Sequence, residues 1–269
     1  MKNITILITA PENYAIRFKE SLEHLNSRHT EVIQTISIPT IISATAVDHP
    51  SMLHLMNQID QYDYMLFASR KAIDSMEEAL SAHPHLRLSE TTGYCAVGKD
   101  IDYMHQQLHV DPAFIPEEPS PMGIVQTLAT HPDSMGKRIA VLVPEVMEIE
   151  EPPIVPQLLK ALSDLGLIVD PIRAYTISPK ENKSLATLIH GKLIDCIAFS
   201  SGSEIYSLLR ILNAHQPPLT LPKSISIACF GPYTAHCAKL AGLKVDVVGK
   251  DFSSFDGFVE AIQNHFWNR

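Results

Sequence analysis

The chain has few of the residues that mark secreted, metal-binding or membrane-spanning proteins. It contains four cysteines in 269 residues, and no two of them form a Cys-x-x-Cys pair. Three lie in apolar, strand-like runs and the fourth in a helix-like run: Cys95, Cys196, Cys229 and Cys237. We therefore expect reduced, mostly buried thiols rather than disulfides or a zinc site. No apolar run approaches the roughly 18–20 residues that span a bilayer, so no membrane partner is predicted. The apolar stretch near the amino terminus is too short for a secretory signal, which makes the cytoplasm the expected location.

Positive charge is also scarce. The chain has 21 Lys and Arg against 30 Asp and Glu, a formal net charge of −9. This balance argues against nucleic-acid binding, which needs a basic face to displace counterions from phosphates. It does not exclude an anionic small molecule, because a few well-placed donors can dominate a binding site. No GxGxxG, GxSxG or HExxH motif occurs, and residues 93–100 match a P-loop in spacing only, with Asp100 at the Ser/Thr position. We expect no metal and no organic cofactor.

The most informative pattern that is present is an internal repeat. Residues 62–80 (YDYMLFASRKAIDSMEEAL) resemble residues 194–212 (IDCIAFSSGSEIYSLLRIL), with six identities at an offset of 132 positions. The next segment also recurs, since 96–98 corresponds to 229–231 at an offset of 133. A duplicated unit of about 130 residues predicts two similar lobes, and a cleft between lobes is a preferred ligand site.

Within each repeat, short apolar strands alternate with amphipathic helices. Asp63–Ala68 is predicted as a strand and Ala72–Leu80 as a helix, and Asp195–Phe199 and Glu204–Asn213 repeat this pair. Alternation of this kind is typical of α/β folds, in which a parallel sheet is flanked by helices.

The turns that follow the predicted strands are the candidate binding segments, because ligands of such folds bind at the carboxyl ends of strands. Each turn leads directly into a helix, whose unpaired N–H groups suit carboxylates or phosphates. Ser and Thr at these positions are also ordinary helix N-caps, so either function is open for any one turn. The turns are Thr9-Ala10-Pro11, Ser69-Arg70-Lys71, Gly98-Lys99-Asp100, Ser200-Ser201-Gly202-Ser203 and Gly231-Pro232-Tyr233-Thr234.

Tyr175 is a separate candidate. It follows a predicted strand, Leu167–Ala174, and precedes a polar segment with a proline, where one lobe is expected to lead into the other. A tyrosine facing a cleft can donate a hydrogen bond or protonate a leaving group, and the alternative is a packing residue at the rim.

Several segments together resemble the uroporphyrinogen-III synthase family. The segments are Asp195-x-x-x-Phe199-Ser200-Ser201 before a helix, Ile227-Ala228-Cys229-x-Gly231-Pro232-x-Thr234-Ala235, Ala241-Gly242-Leu243, Gly257-Phe258-Val259 and Ile6-Leu7-Ile8-Thr9-x-Pro11. No single motif is diagnostic. The similarity lies in their order and spacing over nearly the whole chain, together with the duplication.

This resemblance implies two α/β lobes, each a parallel sheet flanked by helices, joined by a two-stranded linker with a cleft between them. One lobe is expected to be discontinuous, with residues 1–38 joined to 176–269, and residues 39–175 form the other. The linker strands are expected near 38–41 and 172–176.

The resemblance also implies a cofactor-free reaction by a monomer. Its substrate is hydroxymethylbilane, a linear tetrapyrrole with eight carboxylates, which loses water and closes with inversion of its last pyrrole ring. The expected catalytic residue is Tyr175, which assists departure of hydroxide. The expected substrate-binding residues are Thr9, Ser69, Arg70, Lys99, Ser201, Gly202, Ser203 and Thr234.

Three departures from the family pattern leave an alternative open. Ala10 stands where the family usually has arginine, Ile101 is the first repeat's counterpart of Thr234, and residues 144–151 are acidic. The alternative is a divergent, non-catalytic two-lobe protein that binds a tetrapyrrole or another anionic small molecule.

Overall fold

The computed structural model describes residues 3–26, 33–131, 134–191, 193–251 and 254–267. In chain order its strands are β1 (Ile4–Ile8), β2 (Ile33–Ser37), β3 (Ile41–Thr45), β4 (Tyr64–Phe67), β5 (Gly93–Ala96), β6 (Arg138–Val146), β7 (Ile168–Pro179), β8 (Cys196–Phe199), β9 (Ser226–Cys229) and β10 (Val247–Val248). Its helices are α1 (Glu12–Asn26), α2 (Pro50–Asn57), α3 (Arg70–Ala82), α4 (Asp100–Leu108), α5 (Pro121–Thr130), α6 (Ile154–Asp164), α7 (Lys183–His190), α8 (Gly202–Asn213), α9 (Pro232–Leu240) and α10 (Phe255–Trp267).

The chain divides into two compact units, each built on one five-stranded sheet. The strand orders are β10-β9-β8-β1-β2 in unit 1 and β3-β7-β6-β4-β5 in unit 2. Neighbouring strands from β10 to β2, and from β7 to β5, are parallel. This arrangement confirms the predicted α/β class with two helix-flanked, parallel sheets.

Two of the four boundaries between the units fall within strands that are neighbours in one sheet, β3 and β7, and the other two flank residues 147–152. Unit 1 comprises Met1–Ile42, Met147–Pro152 and Ser178–Arg269, and unit 2 comprises Ser43–Val146 and Pro153–Ile177. The amino-terminal strand β1 pairs with β2 and with β8, which lies more than 180 residues later in the chain. The acidic segment after β6 is grouped with unit 1.

The internal repeat corresponds to the same succession of elements in both units. The run β4-α3-β5-α4 recurs as β8-α8-β9-α9, and β4 and β8 occupy the same place in their sheets. Asp63, just before β4, accepts a hydrogen bond from the main-chain N–H of Arg138 (2.8 Å). Its counterpart Asp195 accepts one from the N–H of Thr5 (3.0 Å). The repeated aspartate therefore holds the start of the neighbouring strand in each unit.

Each sheet is buried on both faces, which explains the continuous apolar runs of its strands. In β8, Ile197 and Phe199 pack on one face, whereas Cys196 and Ala198 pack on the other. In β4, Met65 and Phe67 contribute to one core and Leu66 to the opposite core. Alternation along each strand thus supplies both hydrophobic cores of its unit.

Some elements lie outside the sequence-based assignment. Helices α2, α5 and α7 were not predicted, although each of them begins with a recognisable signal. Ser120 caps α5 before Pro121, Asn182 caps α7, and Pro50 is the first residue of α2. Strand β7 continues to Pro179, so the periodic pattern of Leu167–Ala174 ended too early and Tyr175 lies within the strand. Residues 176–177 pair with the end of β6, and the polar residues and proline of 176–179 concealed this part of the strand.

Candidate functional site

In unit 2, the hydroxyls of Ser69 and Tyr175 meet beyond the carboxyl end of β4. Ser69 Oγ donates a hydrogen bond to Tyr175 Oη at 2.9 Å and accepts a longer one from the N–H of Ala72 (3.4 Å), as the N-cap of α3. Strand β6 lies between β4 and β7 in the sheet, so the long side chain of Tyr175 reaches across β6 to contact Ser69. The hydroxyl of Tyr175 makes no other hydrogen bond among the described residues, so its own proton has no acceptor there.

A β-bulge directs the tyrosine. The register between β6 and β7 shifts after Val143, which pairs with Arg173, because Pro144 pairs with Tyr175. The consecutive residues Ala174 and Tyr175 consequently both join the same hydrophobic core, which regular alternation forbids. Burial raises the pKa of Tyr175 to about 12, although the hydrogen bond from Ser69 acts in the opposite direction. The phenol is therefore protonated at neutral pH.

Next to this pair, Arg70 is held in place by two neighbours. Its Nε lies 2.6 Å from Asp100 Oδ1, and its guanidinium stacks 4.7 Å from the centre of the Tyr103 ring. Tyr103 in turn donates to Asp74 Oδ1 at 2.7 Å. The two terminal NH₂ groups of Arg70 make no hydrogen bond with the described residues. A guanidinium fixed in this way keeps donors that suit a carboxylate.

Lys99 lies at the start of α4. It follows Gly98, whose φ of 54° places the turn in the left-handed region that glycine tolerates. Lys99 is the exposed N-cap residue, and its side chain makes no capping hydrogen bond. The structure thus brings Ser69, Arg70, Lys99 and Tyr175 to the same end of the sheet of unit 2.

In unit 1, the turn between β8 and α8 surrounds a buried carboxyl group. Glu204 has no exposed surface, and its carboxyl oxygens accept from Thr9 Oγ1 (2.7 Å), the N–H of Ser200 (3.1 Å), Ser201 Oγ (3.0 Å) and Ser200 Oγ. Burial raises the pKa of Glu204 above its ordinary value, although these hydrogen bonds act in the opposite direction. Glu204 was not among the residues predicted for the site. The spacing Ser201-x-x-Glu204 matches a capping box and could have indicated that its carboxyl group lies at this turn.

The other predicted residues of unit 1 lie around the same turn. Thr9 is fully buried, and its hydroxyl contacts Glu204 and the carbonyl of Ala198. Thr234 Oγ1 donates to the carbonyl of Ser200 at 3.2 Å. The structure therefore gives Thr9 and Thr234 a supporting contact to the turn. Their predicted contact with substrate stays a prediction, as it does for Ser201, Gly202 and Ser203.

Some of the helices that directly follow strands begin without a capping side chain. They are α4, α8 and α9, whose N-cap residues are Lys99, Ser201 and Gly231. By contrast, Ser69 caps α3. Uncapped N–H groups at a helix start carry partial positive charge and favour anions.

The chain matches a known protein family. The model of the uroporphyrinogen-III synthase HemD family matches residues 28–258. The chain belongs to this uroporphyrinogen-III synthase family. No curated protein matches the chain.

Solved structures of this kind share the fold at low sequence identity. A mutant uroporphyrinogen III synthase from the extreme thermophile Thermus thermophilus is 15% identical with a TM-score of 0.65, and the match covers 99% of this chain and 100% of that one. Uroporphyrinogen-III synthetase from Helicobacter pylori 26695 is also 15% identical, with a TM-score of 0.56 and coverage of 97% and 99%. The two-sheet architecture is therefore that of uroporphyrinogen-III synthases.

The three departures from the synthase pattern, at Ala10, Ile101 and residues 144–151, lie in different parts of the structure. Ala10 is buried, packed in the core beside β1, and Ile101 is buried in unit 2. The acidic segment begins inside β6, which extends to Val146, and Glu148 pairs with Arg210 at 2.7 Å. Part of the negative charge near this segment is thereby offset within the same unit.

No group of three or more His, Cys, Asp or Glu side chains is arranged to hold a metal ion in the part of the chain that the structure describes. Among the same residues, no helix combines the length and apolar character needed to cross a bilayer.

Proposed function

We propose that this chain is an active uroporphyrinogen-III synthase, a cyclising hydro-lyase that closes hydroxymethylbilane with inversion of the last pyrrole ring. The family match supports the reaction class, and the contact between Ser69 and Tyr175 carries the assignment of the acid. That contact places a protonated phenol, with its proton unused by the protein, beside a second hydroxyl that donates to it.

The chemistry of the first step suits this pair. Hydroxymethylbilane loses hydroxide when the C–O bond of its hydroxymethyl group breaks and the pyrrole ring stabilises the carbon left behind. Tyr175 gives its proton to the departing oxygen, which leaves as water, and the phenol oxygen takes up negative charge. Ser69 already donates to that oxygen, so its hydrogen bond strengthens as the charge develops.

The remaining steps need orientation more than acid–base groups. The closing carbon must meet the inverted ring, and the enzyme biases this outcome by holding the substrate carboxylates. The uncapped starts of α4, α8 and α9 and the side chains of Arg70 and Lys99 are the proposed donors. These local sites explain how a chain of negative net charge can bind a polycarboxylate.

The test is an isomer assay. The purified protein is incubated with enzymatically generated hydroxymethylbilane, and the products are oxidised and separated by chromatography. Spontaneous closure yields isomer I, so accumulation of isomer III above the protein-free control is the expected result. If the wild-type protein yields isomer I alone, at the spontaneous rate, the proposal is wrong and a non-catalytic binding protein remains.

We further propose that the protein acts in the cytoplasm as a monomer. All four cysteines are buried and unpaired, which fits a reducing compartment. Cell fractionation tests the location, and sedimentation of the purified protein tests the oligomeric state.

A further inference from the structure

The bulge in β7 decides on which face of the sheet Tyr175 lies. Ile172 and Ala174 pack in the same hydrophobic core as Tyr175 and Ile177, although the two pairs are separated by an odd number of positions. In a regular strand, residues an odd number apart point to opposite faces, so Tyr175 without the bulge would point away from Ser69. The position of the candidate acid therefore depends on whatever stabilises the bulge.

Arg173 lies at the bulge, and both its main chain and its side chain are bound. Its main-chain N–H donates to Ser51 Oγ at 2.8 Å, and its guanidinium donates to the carbonyl of Pro144 at 2.6 Å. The carbonyl of the next residue, Ala174, accepts from the N–H of Ala46 at 2.9 Å. Consecutive residues of a regular strand direct their main-chain groups to opposite neighbours, whereas here both groups bond away from β6. Ser51 thus supplies the acceptor for a main-chain donor at the irregular step.

The hydroxyl of Ser51 is itself oriented by His49. The N–H of Ser51 donates to His49 Nδ1 at 3.2 Å, as the cap of α2, so this ring nitrogen is an acceptor. Ser51 Oγ lies 2.8 Å from the same nitrogen and gives its proton to it. The other ring nitrogen, Nε2, lies 3.9 Å from Glu145 Oε2. The lone pairs of the Ser51 hydroxyl are therefore left to accept from the N–H of Arg173.

We propose that Ser51 is a positioning residue that stabilises the bulge of β7 and thereby holds Tyr175 against Ser69. The inference rests on the proposed function. Ser51 acts through the main chain, because loss of its hydroxyl leaves the N–H of Arg173 without this acceptor, two residues before the phenol. A donor that loses its partner inside a protein costs more than the hydrogen bond itself contributed, so the strand loosens at this step.

Replacement of Ser51 by alanine is the first test. We expect kcat for isomer III to fall about 5- to 10-fold with KM within about twofold, because a misplaced acid slows the chemical step and leaves substrate binding intact. Ser51→Thr keeps the hydroxyl and is expected to recover most of kcat. Ser120→Ala is the matched control, since it removes a hydroxyl that accepts from the N–H of Gly123 at 3.0 Å in the same unit. Its kcat is expected to stay within about twofold of the wild-type value.

A double-mutant cycle separates positioning from a general loss of structure. If Ser51 acts through the phenol, Ser51→Ala has no further effect on kcat in the Tyr175→Phe background. An equal fall in both backgrounds overturns the inference, and so does a rise in KM with kcat unchanged. If Ser51→Ala does not fold, Ser51→Cys keeps a similar volume with only a weak acceptor and carries the same expectations.

A spectroscopic measurement separates this inference from the proposed reaction. In protein labelled with 3-fluorotyrosine, the ¹⁹F signal that is absent from Tyr175→Phe belongs to Tyr175. Ser51→Ala is expected to shift or broaden this signal, whereas Ser51→Thr and Ser120→Ala leave it in place. The same result is expected if the wild type forms isomer I alone, an outcome that refutes only the proposed reaction. An unchanged Tyr175 signal in Ser51→Ala overturns the inference even where kcat falls.

Discussion

Replacement of Ser69 by alanine tests how the protein uses Tyr175. The variant deletes the hydroxyl that donates to the phenol oxygen at 2.9 Å and leaves the ring in its buried position. In the ground state this is a bond between neutral groups, with a net value of about 1 kcal/mol, whereas a bond to a developing phenolate contributes about 1.5–3 kcal/mol. Only the difference of about 1 kcal/mol affects the chemical step, so kcat is expected to fall about 5- to 10-fold.

The assay is single-turnover formation of uroporphyrinogen from hydroxymethylbilane, with the proportion of isomer III measured alongside the rate. Because Ser69 also caps α3, the variant loses stability of about 1 kcal/mol as well. Ser120→Ala removes a comparable cap from α5, where the hydroxyl accepts from the N–H of Gly123 at 3.0 Å, and is the matched control for that loss. Ser69→Thr retains a hydroxyl and is expected to recover most of the rate.

A double-mutant cycle with Tyr175→Phe decides whether the two residues act together. If Ser69 works through the phenol, Ser69→Ala has no further effect on kcat once the phenol is absent. The reasoning is refuted if Ser69→Ala lowers kcat equally in both backgrounds, or if Ser120→Ala lowers kcat as much.

Three other predictions follow from single contacts. Tyr175→Phe is expected to lower kcat by about 100-fold or less, since water can replace one proton donor, and full turnover with an unchanged isomer ratio would mean that the tyrosine only packs. Gly202→Ala is expected to destabilise the protein by about 1–3 kcal/mol in urea unfolding, because the new Cβ would lie 2.6 Å from Cys237 Sγ; an unchanged midpoint contradicts this. Asp63→Asn tests a pH dependence. Burial alone would raise the pKa of Asp63, but hydrogen bonds from Lys137 and the N–H of Arg138 leave it below its ordinary value. The carboxylate therefore stabilises the fold above its unfolded pKa of about 4, and that stability is lost as the pH falls through the lower folded pKa. The variant should be less stable by about 1 kcal/mol at pH 7, a small value because the group is partly exposed, and the difference should shrink in acid; a constant difference argues against the ionic contact.

The repeat, the α/β class and the family can all be read from the amino-acid sequence. Residues 62–80 form β4 and α3, and residues 194–212 form β8 and α8. The two segments share a pattern because each holds a parallel strand with apolar residues on both faces, followed by a helix. Such patterns are local, so they are visible directly in the chain. Local cap signals at Ser120 and Asn182 also mark the starts of α5 and α7.

Which polar groups meet depends on the tertiary structure. Ser69 and Tyr175 are 106 residues apart, and Thr9 and Glu204 are 195 apart. Parallel pairing of distant strands brings their carboxyl ends together, and a one-residue bulge in β7 turns Tyr175 toward Ser69. The spacing Ser201-x-x-Glu204 predicts a cap, but Thr9 lies against the carboxylate and the Ser201 hydroxyl donates to it instead. Long-range hydrogen bonds leave no periodic mark in a sequence, because their partners are set by strand order and register.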